Sequence, residues 1–398
     1  MGDLFLGELF LDKPAATPDE VGRALDFCAE QVMRSLPRFA GRCQNHSSVN
    51  NFYPACDNVQ WTCGFWPGEI WLAYERTGNN AFREAGLALV DSFLSRIEDK
   101  IEVDHHDMGF LYSPSCVSAW KLTGSEKARR AALLAADQLM RRFQPIGGFF
   151  QAWGQLGAPD NYRYIIDCLL NLPLLFWAAN ETGEPGEGRY RARAREHIAT
   201  CLAHSFRADG STFHTVFMDS QTGGMLRGAT CQGYRDDSAW ARGQAWAICG
   251  AAFLFRHTRD PALVAAFENA LAFYLSRLPE DLTPYWDMIF TSGTEEPRDS
   301  SSAAITACGL LEMARFAATP EASVSYARLA SCMVKSLIDR YAVRDPAVSD
   351  GLLLHGTYSK KSPYNTCTPE GVDECTSWGD YFYMEALTRL SADWDSYW

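Results

Sequence analysis

The sequence predicts an all-α fold, an (α/α)6 barrel in which six helical hairpins close into a toroid. Three observations lead there. Apolar residues recur three and four apart through twelve segments, the helical period. The segments come in pairs, and the turns repeat: Thr77-Gly78, Thr123-Gly124 and Thr182-Gly183 each end one helix shortly before the next begins, with Thr258 and Thr319 in similar places. Long connections rich in glycine, aromatic and polar residues then separate the helices at 41–65, 99–112, 144–162, 206–237, 279–299 and 341–375. Such loops usually carry function, and in a closed ring they would surround one pocket. An open solenoid is the competing arrangement, and it would more often have short, uniform turns.

In chain order the helices fall near 18–36, 66–76, 80–98, 113–122, 126–143, 163–181, 190–205, 238–257, 261–278, 300–317, 323–340 and 376–391. Start signals support several of them. Thr17-Pro18-Asp19-Glu20 reads as a cap, a first-turn proline and two acids, and Asp260-Pro261 and Thr319-Pro320-Glu321 repeat the arrangement. No low-complexity or linker-like stretch divides the chain, so residues 1–398 read as one domain.

Composition narrows the function. A net charge of −13 leaves no basic footprint for nucleic acid. No apolar run reaches membrane-spanning length; LLNLPLLFWAA is short and contains Pro173. The opening MGDLFLGELFLDKP is interrupted by Asp3, Glu8 and Asp12, unlike a signal peptide, and Leu6 argues against myristoylation at Gly2. The 13 cysteines show no C-x-x-C pair and read as reduced thiols, which points to the cytoplasm. Of 12 tryptophans, Trp61, Trp66, Trp71, Trp153, Trp240, Trp246, Trp286 and Trp378 sit in or beside the long loops, and aromatic faces of this kind suit the C–H faces of sugars.

Three segments offer chemistry. Asp104-His105-His106-Asp107-Met108-Gly109 sets two acids and two histidines ahead of a glycine. Adjacent histidines seldom ligate one ion, so Asp107 as an acid or base with His106 close by is preferred over a metal site, and no cofactor is expected. Asp167 interrupts the apolar run Tyr164–Asn171. A buried carboxyl there is either a bonded structural acid or a functional one, and apolar surroundings would raise its pKa. Arg242 and Trp246 lie one helical turn apart, so an Arg beside an aromatic wall could hold a carboxylate, unless Arg242 pairs with a core acid such as Asp237. His214 is a lone loop histidine.

At these residues the chain resembles the unsaturated glucuronyl hydrolases of glycoside hydrolase family 88. The resemblance is carried in order by DNVQWTCGFWPGEIWLAYE (57–75), DHHDMGFLYSPS (104–115), GGFFQAWG (147–154), YIIDCLLN (164–171), QGYRDDSAWARGQAW (232–246), LPEDLTPYWDMIF (278–290), PRDSSSAAI (297–305), LLLHGTYS (352–359) and WGDYFYMEAL (378–387). It implies an (α/α)6 barrel and a hydrolase that releases the 4,5-unsaturated uronic acid from the non-reducing end of lyase-generated oligosaccharides, glycosaminoglycan disaccharides among them. It implies Asp167 as the main acid/base and Asp107 as a second essential carboxyl. Trp61 and Trp246 match stacking positions, and His106, His214, Gln232 and Arg242 match substrate contacts, with Arg242 and Gln232 expected at the uronate. The partner is then an unsaturated uronate-containing oligosaccharide, and the protein a monomer or small homo-oligomer. Relatives that favour sulfated substrates carry a basic residue before QGY; Cys231 stands there and weighs towards unsulfated or lightly sulfated substrates. Lys360 and Lys361, in the segment 359–371, either meet an acidic group at the far subsite or form a solvated loop tip. An unsaturated rhamnogalacturonyl hydrolase, a sugar epimerase and a non-catalytic glycan-binding helical module are the alternatives.

Overall fold

The computed structural model describes residues 12–398. The readings of the opening stretch as neither a signal peptide nor a myristoylation site fall mainly on residues 1–11, outside the described residues. No helix of the described residues is long and apolar enough to cross a membrane.

Among the described residues there are twelve principal helices. They are α1 (Pro18–Ser35), α2 (Phe65–Thr77), α3 (Asn80–Glu98), α4, α5 (Glu126–Met140), α6 (Pro173–Glu181), α7 (Arg189–His204), α8 (Ala241–Thr258), α9 (Pro261–Ser276), α10 (Ser300–Ala314), α11 (Pro320–Arg340) and α12 (Ser377–Ser391). Helix α4 runs through Met108–Tyr112, a π-helical Ser113–Val117 and Ser118–Thr123. The even-numbered helices form an inner ring: α2 packs on α4, α4 on α6, α6 on α8, α8 on α10, α10 on α12, and α12 returns to α2. That last contact closes the toroid and excludes the open solenoid. The odd-numbered helices lie outside, and α1 bridges the seam by packing on both α2 and α12.

Burial follows the same division. Every residue from Ala241 to Leu254 in α8 and from Ser300 to Met313 in α10 is buried. Helices covered on all sides need no polar face, whereas α1 and α5 keep a buried stripe and an exposed one. The repeated threonines have a physical role: the hydroxyls of Thr77, Thr123, Thr182 and Thr258 donate to the carbonyls of Ala73, Ala119, Ala178 and Leu254 at 2.6–2.9 Å, satisfying a last-turn acceptor. Gly78, Gly124 and Gly183 then take positive φ of 65–68°. Starts behave as expected, with a capping box at Thr17/Glu20 and side-chain caps from Asp260 and Thr319.

The helix expected over 163–181 is corrected. After the short strands β1 (Cys43–Gln44), β2 (Ala55–Cys56), β3 (Phe143–Gln144) and β4 (Phe149–Phe150), Arg163–Ile165 is strand β5, Ile166–Leu170 is a 3₁₀ turn, and the helix begins at Pro173. A short apolar run fits either period, and tertiary pairing decided here. Strand β5 joins β6 (Thr215–Met218) and β7 (Met225–Ala229) in an antiparallel sheet, with Arg163, Phe217 and Arg227 in one register row. Further along, Gly356–Ser359 pairs with Glu370–Glu374. Inside the ring, Trp398 stacks on Phe382 of α12 (5.8 Å, 10°) and meets Phe110 of α4 and Phe253 of α8, filling the centre of the barrel.

Candidate active site

The long connections converge on one cavity of about 340 Å³. Five of the six contribute to its wall: Trp61, Asp107, Trp153, the pair His214 and Gln232, and Tyr358 come from the first four and the last of them. Arg163, Ile165 and Asp167 complete it from β5 and the turn that follows.

Asp107 sits at the N-terminus of α4, and its side chain is 3% exposed. Its neighbour His105 fixes its protonation. His105 Nε2 lies 3.0 Å from the Glu102 carbonyl, which only accepts, so Nε2 carries the proton. Burial pushes the His105 pKa down to about 3, so the ring is neutral and Nδ1 can only accept. Nδ1 takes the Asp107 main-chain N–H at 3.1 Å and also faces Oδ2 at 3.1 Å. A carboxylate oxygen facing that lone pair would be repelled, whereas a carboxylic acid can donate to it. Desolvation drives the same way and raises the Asp107 pKa to about 8. His105 is clamped in turn by Trp153, stacked at 4.2 Å and 4°.

Asp167 opens towards the cavity with its side chain 15% exposed. Its pKa is raised well above the usual carboxylate range, first by desolvation and then by the nearness of the Asp107 carboxyl, which disfavours two charges side by side, against an opposing pull from Arg242. His106 lies behind both acids, fully buried, with Nε2 3.3 Å from Asp107 Oδ1 and 3.6 Å from Asp167 Oδ1. Burial holds its pKa well below the ordinary value, so a neutral imidazole separates the two carboxyls. One ligand atom each from His106, Asp107 and Asp167 lie within 4.8 Å of one another, a spacing a metal ion also uses. Holding a cation there would require both carboxyls to ionise.

The two acids are held together through Asn171. Its Oδ1 accepts the Phe110 main-chain N–H at 2.8 Å, and its Nδ2 donates to the Asp167 carbonyl at 3.3 Å. This bridge needs α4 and the 3₁₀ turn to touch backbone to backbone at Gly109. A Cβ there would stand 2.4 Å from Asn171 Cα and 2.7 Å from its carbonyl oxygen. Gly109→Ala is therefore expected to destabilise by about 1–3 kcal/mol and to lower activity by separating the acids. Unchanged urea melting together with unchanged turnover would contradict this.

The remaining expected residues divide. Trp61 forms a wall, stacked on Trp378 at 5.4 Å, and donates from Nε1 to the Tyr358 hydroxyl at 3.3 Å. His214 sits edge-on to Trp240, with Nδ1 2.8 Å from the Thr215 hydroxyl. Gln232 is half-buried at the rim. Three residues lie deeper than the cavity wall. His106 lies behind the acids. Arg242 is 1% exposed: it pairs with the fully buried Asp299 at 3.1 Å and donates to the carbonyls of Thr357 and Tyr358, each at 2.6 Å. Its acid is Asp299 rather than Asp237, which pairs with Arg235. Trp246, one turn further into α8, is core against Phe110 and Phe382. Lys360 is bound to Glu296, and Lys361 donates to the Asn365 carbonyl. Sequence reasoning gave no site role to Arg163 or Tyr358, and noted Trp153 only as one aromatic among several.

Comparison with known proteins places this geometry. The profile of Glycosyl Hydrolase Family 88 matches residues 34–372. The chain is 43% identical over 392 residues to the unsaturated chondroitin disaccharide hydrolase of Streptococcus pneumoniae (strain ATCC BAA-255 / R6), covering 98% of this chain and 97% of that protein. Its fold superposes with a TM-score of 0.93 on the crystal structure of the Streptococcus agalactiae unsaturated glucuronyl hydrolase, at 41% identity and covering 100% and 98% of the two chains. A mutant of the S. agalactiae enzyme, complexed with dGlcA-GalNAc6S, superposes at 0.84 with 38% identity, covering 98% and 96%.

Proposed function

Because this chain belongs to glycosyl hydrolase family 88, we propose that its Trp-lined cavity removes the unsaturated uronic acid from glycosaminoglycan fragments left by a lyase, with Asp167 and Asp107 as the working carboxyls. It is a glycoside hydrolase of the unsaturated glucuronyl type, on an α/α barrel.

The substrate's C4=C5 double bond, next to the ring oxygen, is an enol ether. Protonation at C4 places positive charge on C5, shared with the ring oxygen. Water then adds at C5, and the resulting hemiketal opens and releases the neighbouring sugar. Asp167 supplies the proton to C4 and, as the carboxylate so formed, takes a proton from the incoming water. Asp107 stays neutral through its contact with His105 and keeps a second negative charge away from Asp167. Trp61 and Trp153 provide apolar faces for the sugar, and His214 and Gln232 provide polar edges. The observation that carries the reading is the pair of buried carboxyls with raised pKa values flanking one imidazole at the cavity floor.

Chondroitin disaccharides are the natural first substrates. Loss of the conjugated ultraviolet absorbance on incubation tests the activity, and persistence of that absorbance while the sugar still binds would favour a glycan-binding module. We read residues 1–398 as one catalytic unit. The 13 cysteines are all free, which supports a reducing compartment such as the cytoplasm.

A pH dependence follows. The active form needs a protonated Asp167, so kcat/KM should fall as pH rises through the pKa of the pair. Stability should move the same way. An unfolded Asp releases its proton near 3.8, whereas Asp107 in the folded protein holds its proton to about 8. Between those values the folded state binds more protons, so stability falls as pH rises across that window. Asp107→Asn should flatten this slope in melting temperature against pH; an unaltered slope would count against the assignment.

A further inference from the structure

Three free cysteines meet in the first long loop, and the reaction above uses none of them. Cys43 and Cys56 are cross-strand partners in the β1–β2 pair. The thiols of both hydrogen-bond to the sulfur of Cys63, further along the loop. Cys43 and Cys63 are fully buried, whereas Cys56 is half-buried and open to solvent. The Cys56 thiol also approaches the Gln44 carbonyl at 3.3 Å, which fixes it at the hairpin edge.

A buried cation stands beside the three sulfurs. Arg96 of α3 is 2% exposed. Its Nε donates to the Ile101 carbonyl at 3.2 Å. Nη1 donates to Asn58 Oδ1 and to the Gln60 carbonyl, each at 2.9 Å, and Nη2 to the carbonyls of Val59 at 3.1 Å and Glu102 at 2.7 Å. Every one of these acceptors is neutral. A buried guanidinium answered only by neutral oxygens is unfavourable, so a negative charge nearby would stabilise it. The Cys63 main-chain N–H donates to the same Gln60 carbonyl at 3.4 Å, which places Cys63 next to the guanidinium. The two donated thiol hydrogens, and then the Arg96 charge, hold the Cys63 thiol well below its ordinary pKa against the opposing desolvation. Cys63 is the thiolate of the trio, and its hydrogen bond keeps the proton on Cys56.

We propose that Cys56 and Cys63 form a thiol modification site, which a small-molecule disulfide oxidises to an intramolecular disulfide that clamps the turn carrying Trp61. The half-buried Cys56 is the entry. Cys63 withdraws the Cys56 proton as the Cys56 sulfur attacks the reagent, whose S–S bond breaks. The expelled thiolate takes that proton from Cys63 and leaves as a thiol. Cys63, a thiolate again, attacks the Cys56 sulfur of the mixed disulfide. The Cys56–Cys63 bond forms, and the second half of the reagent departs as a thiolate. Two cysteines are oxidised, and one external disulfide is reduced to two thiols. The closed ring spans residues 56–63 and contains Trp61, which walls the cavity and stacks on Trp378. A sulfur–sulfur bond is shorter than the thiol hydrogen bond it replaces, so the turn draws in and carries the indole with it. Asp107 and Asp167 lie outside the ring, so sugar contact changes more than proton transfer. The effect on KM rests on the hydrolase reading above; the bond itself does not.

The test exposes the folded enzyme to glutathione disulfide, then labels the remaining thiols with a maleimide under denaturing conditions. No Lys or Arg lies between Arg42 and Arg76, so trypsin releases Cys43, Cys56 and Cys63 in one peptide. Reduced enzyme should give that peptide with all three cysteines labelled. Oxidised enzyme should give it with the label on Cys43 alone and a 56–63 bond that dithiothreitol reverses. KM for an unsaturated chondroitin disaccharide should rise about three- to tenfold on oxidation, the worth of one aromatic contact, and return on reduction. The change in kcat should be smaller. Cys56→Ser should abolish both the bond and the KM response, and Cys43→Ser should keep both. Position 56 is half-buried, so its variant folds even where Cys63→Ser does not. Full labelling after exposure overturns the proposal, and so does a bond to Cys43 in place of Cys56. A 56–63 bond that leaves KM unchanged overturns the clamp. If the reduced enzyme consumes no disaccharide, the hydrolase reading fails, and the labels alone decide the thiol site.

Discussion

Asp167→Asn is expected to lower kcat by about 10³-fold or more while the folded state survives unharmed. The amide has nearly the volume of the carboxyl, so the 3₁₀ turn and the Asn171 bridge need not move. It cannot give a proton to carbon, and it cannot afterwards take one from water, so both halves of the reaction lose the same group. Stability should hold or rise, because desolvation opposes the charge of Asp167 and an amide carries none. Ultraviolet depletion measured alongside thermal melting separates the two effects. A kcat within about tenfold of wild type, in a variant with native melting, would remove Asp167 from the mechanism.

Arg242→Met should produce the largest loss of stability, about 3–5 kcal/mol. Its partner Asp299 is fully buried, and removing one member of a buried pair leaves the other uncompensated. Asp299 can escape by taking up a proton, so the loss should shrink at acid pH, and Arg242→Met combined with Asp299→Asn should recover part of it. Function should change through Tyr358. Arg242 anchors the carbonyls on either side of the Thr357–Tyr358 peptide, and Tyr358 in turn accepts the indole N–H of Trp61. Loosening that wall should raise KM more than it lowers kcat. Arg242 also pulls the Asp167 pKa down, so its removal should move the falling limb of the pH profile to higher pH. A fall in kcat at constant KM, with an unmoved limb, would contradict this positioning role.

Much of this was legible in the sequence. The helical period located the twelve helices, and Thr-Gly turns marked three of their ends because a hydroxyl and a left-handed residue close a helix locally. Asp167 stood out because a carboxyl in an apolar run needs a reason, and Asp107 because it follows an acid and two histidines ahead of a glycine. The resemblance, rather than any spacing, supplied their roles. What failed did so where tertiary contacts decide. Arg163 was hidden inside an apparent helix, since only pairing with β6 makes Arg163–Ile165 a strand. The four-residue spacing of Arg242 and Trp246 established a shared helix face. It could not tell that Arg242 meets buried Asp299 and that Trp246 packs on Phe110 and Phe382. Tyr358 was invisible for a similar reason: its place depends on an arginine more than a hundred positions away in the chain.

The seam between α2 and α12, covered by α1, joins the two ends of the sequence. During synthesis a ribosome releases five of the six inner helices before the piece that completes the circle exists. Until then the nascent chain is an open arc with two apolar flanks, and only a contact of very high sequence separation can cover them. Such an arc is the natural client of a chaperone, and substitutions at the seam should reduce soluble yield well before they reduce the activity of molecules that have already closed.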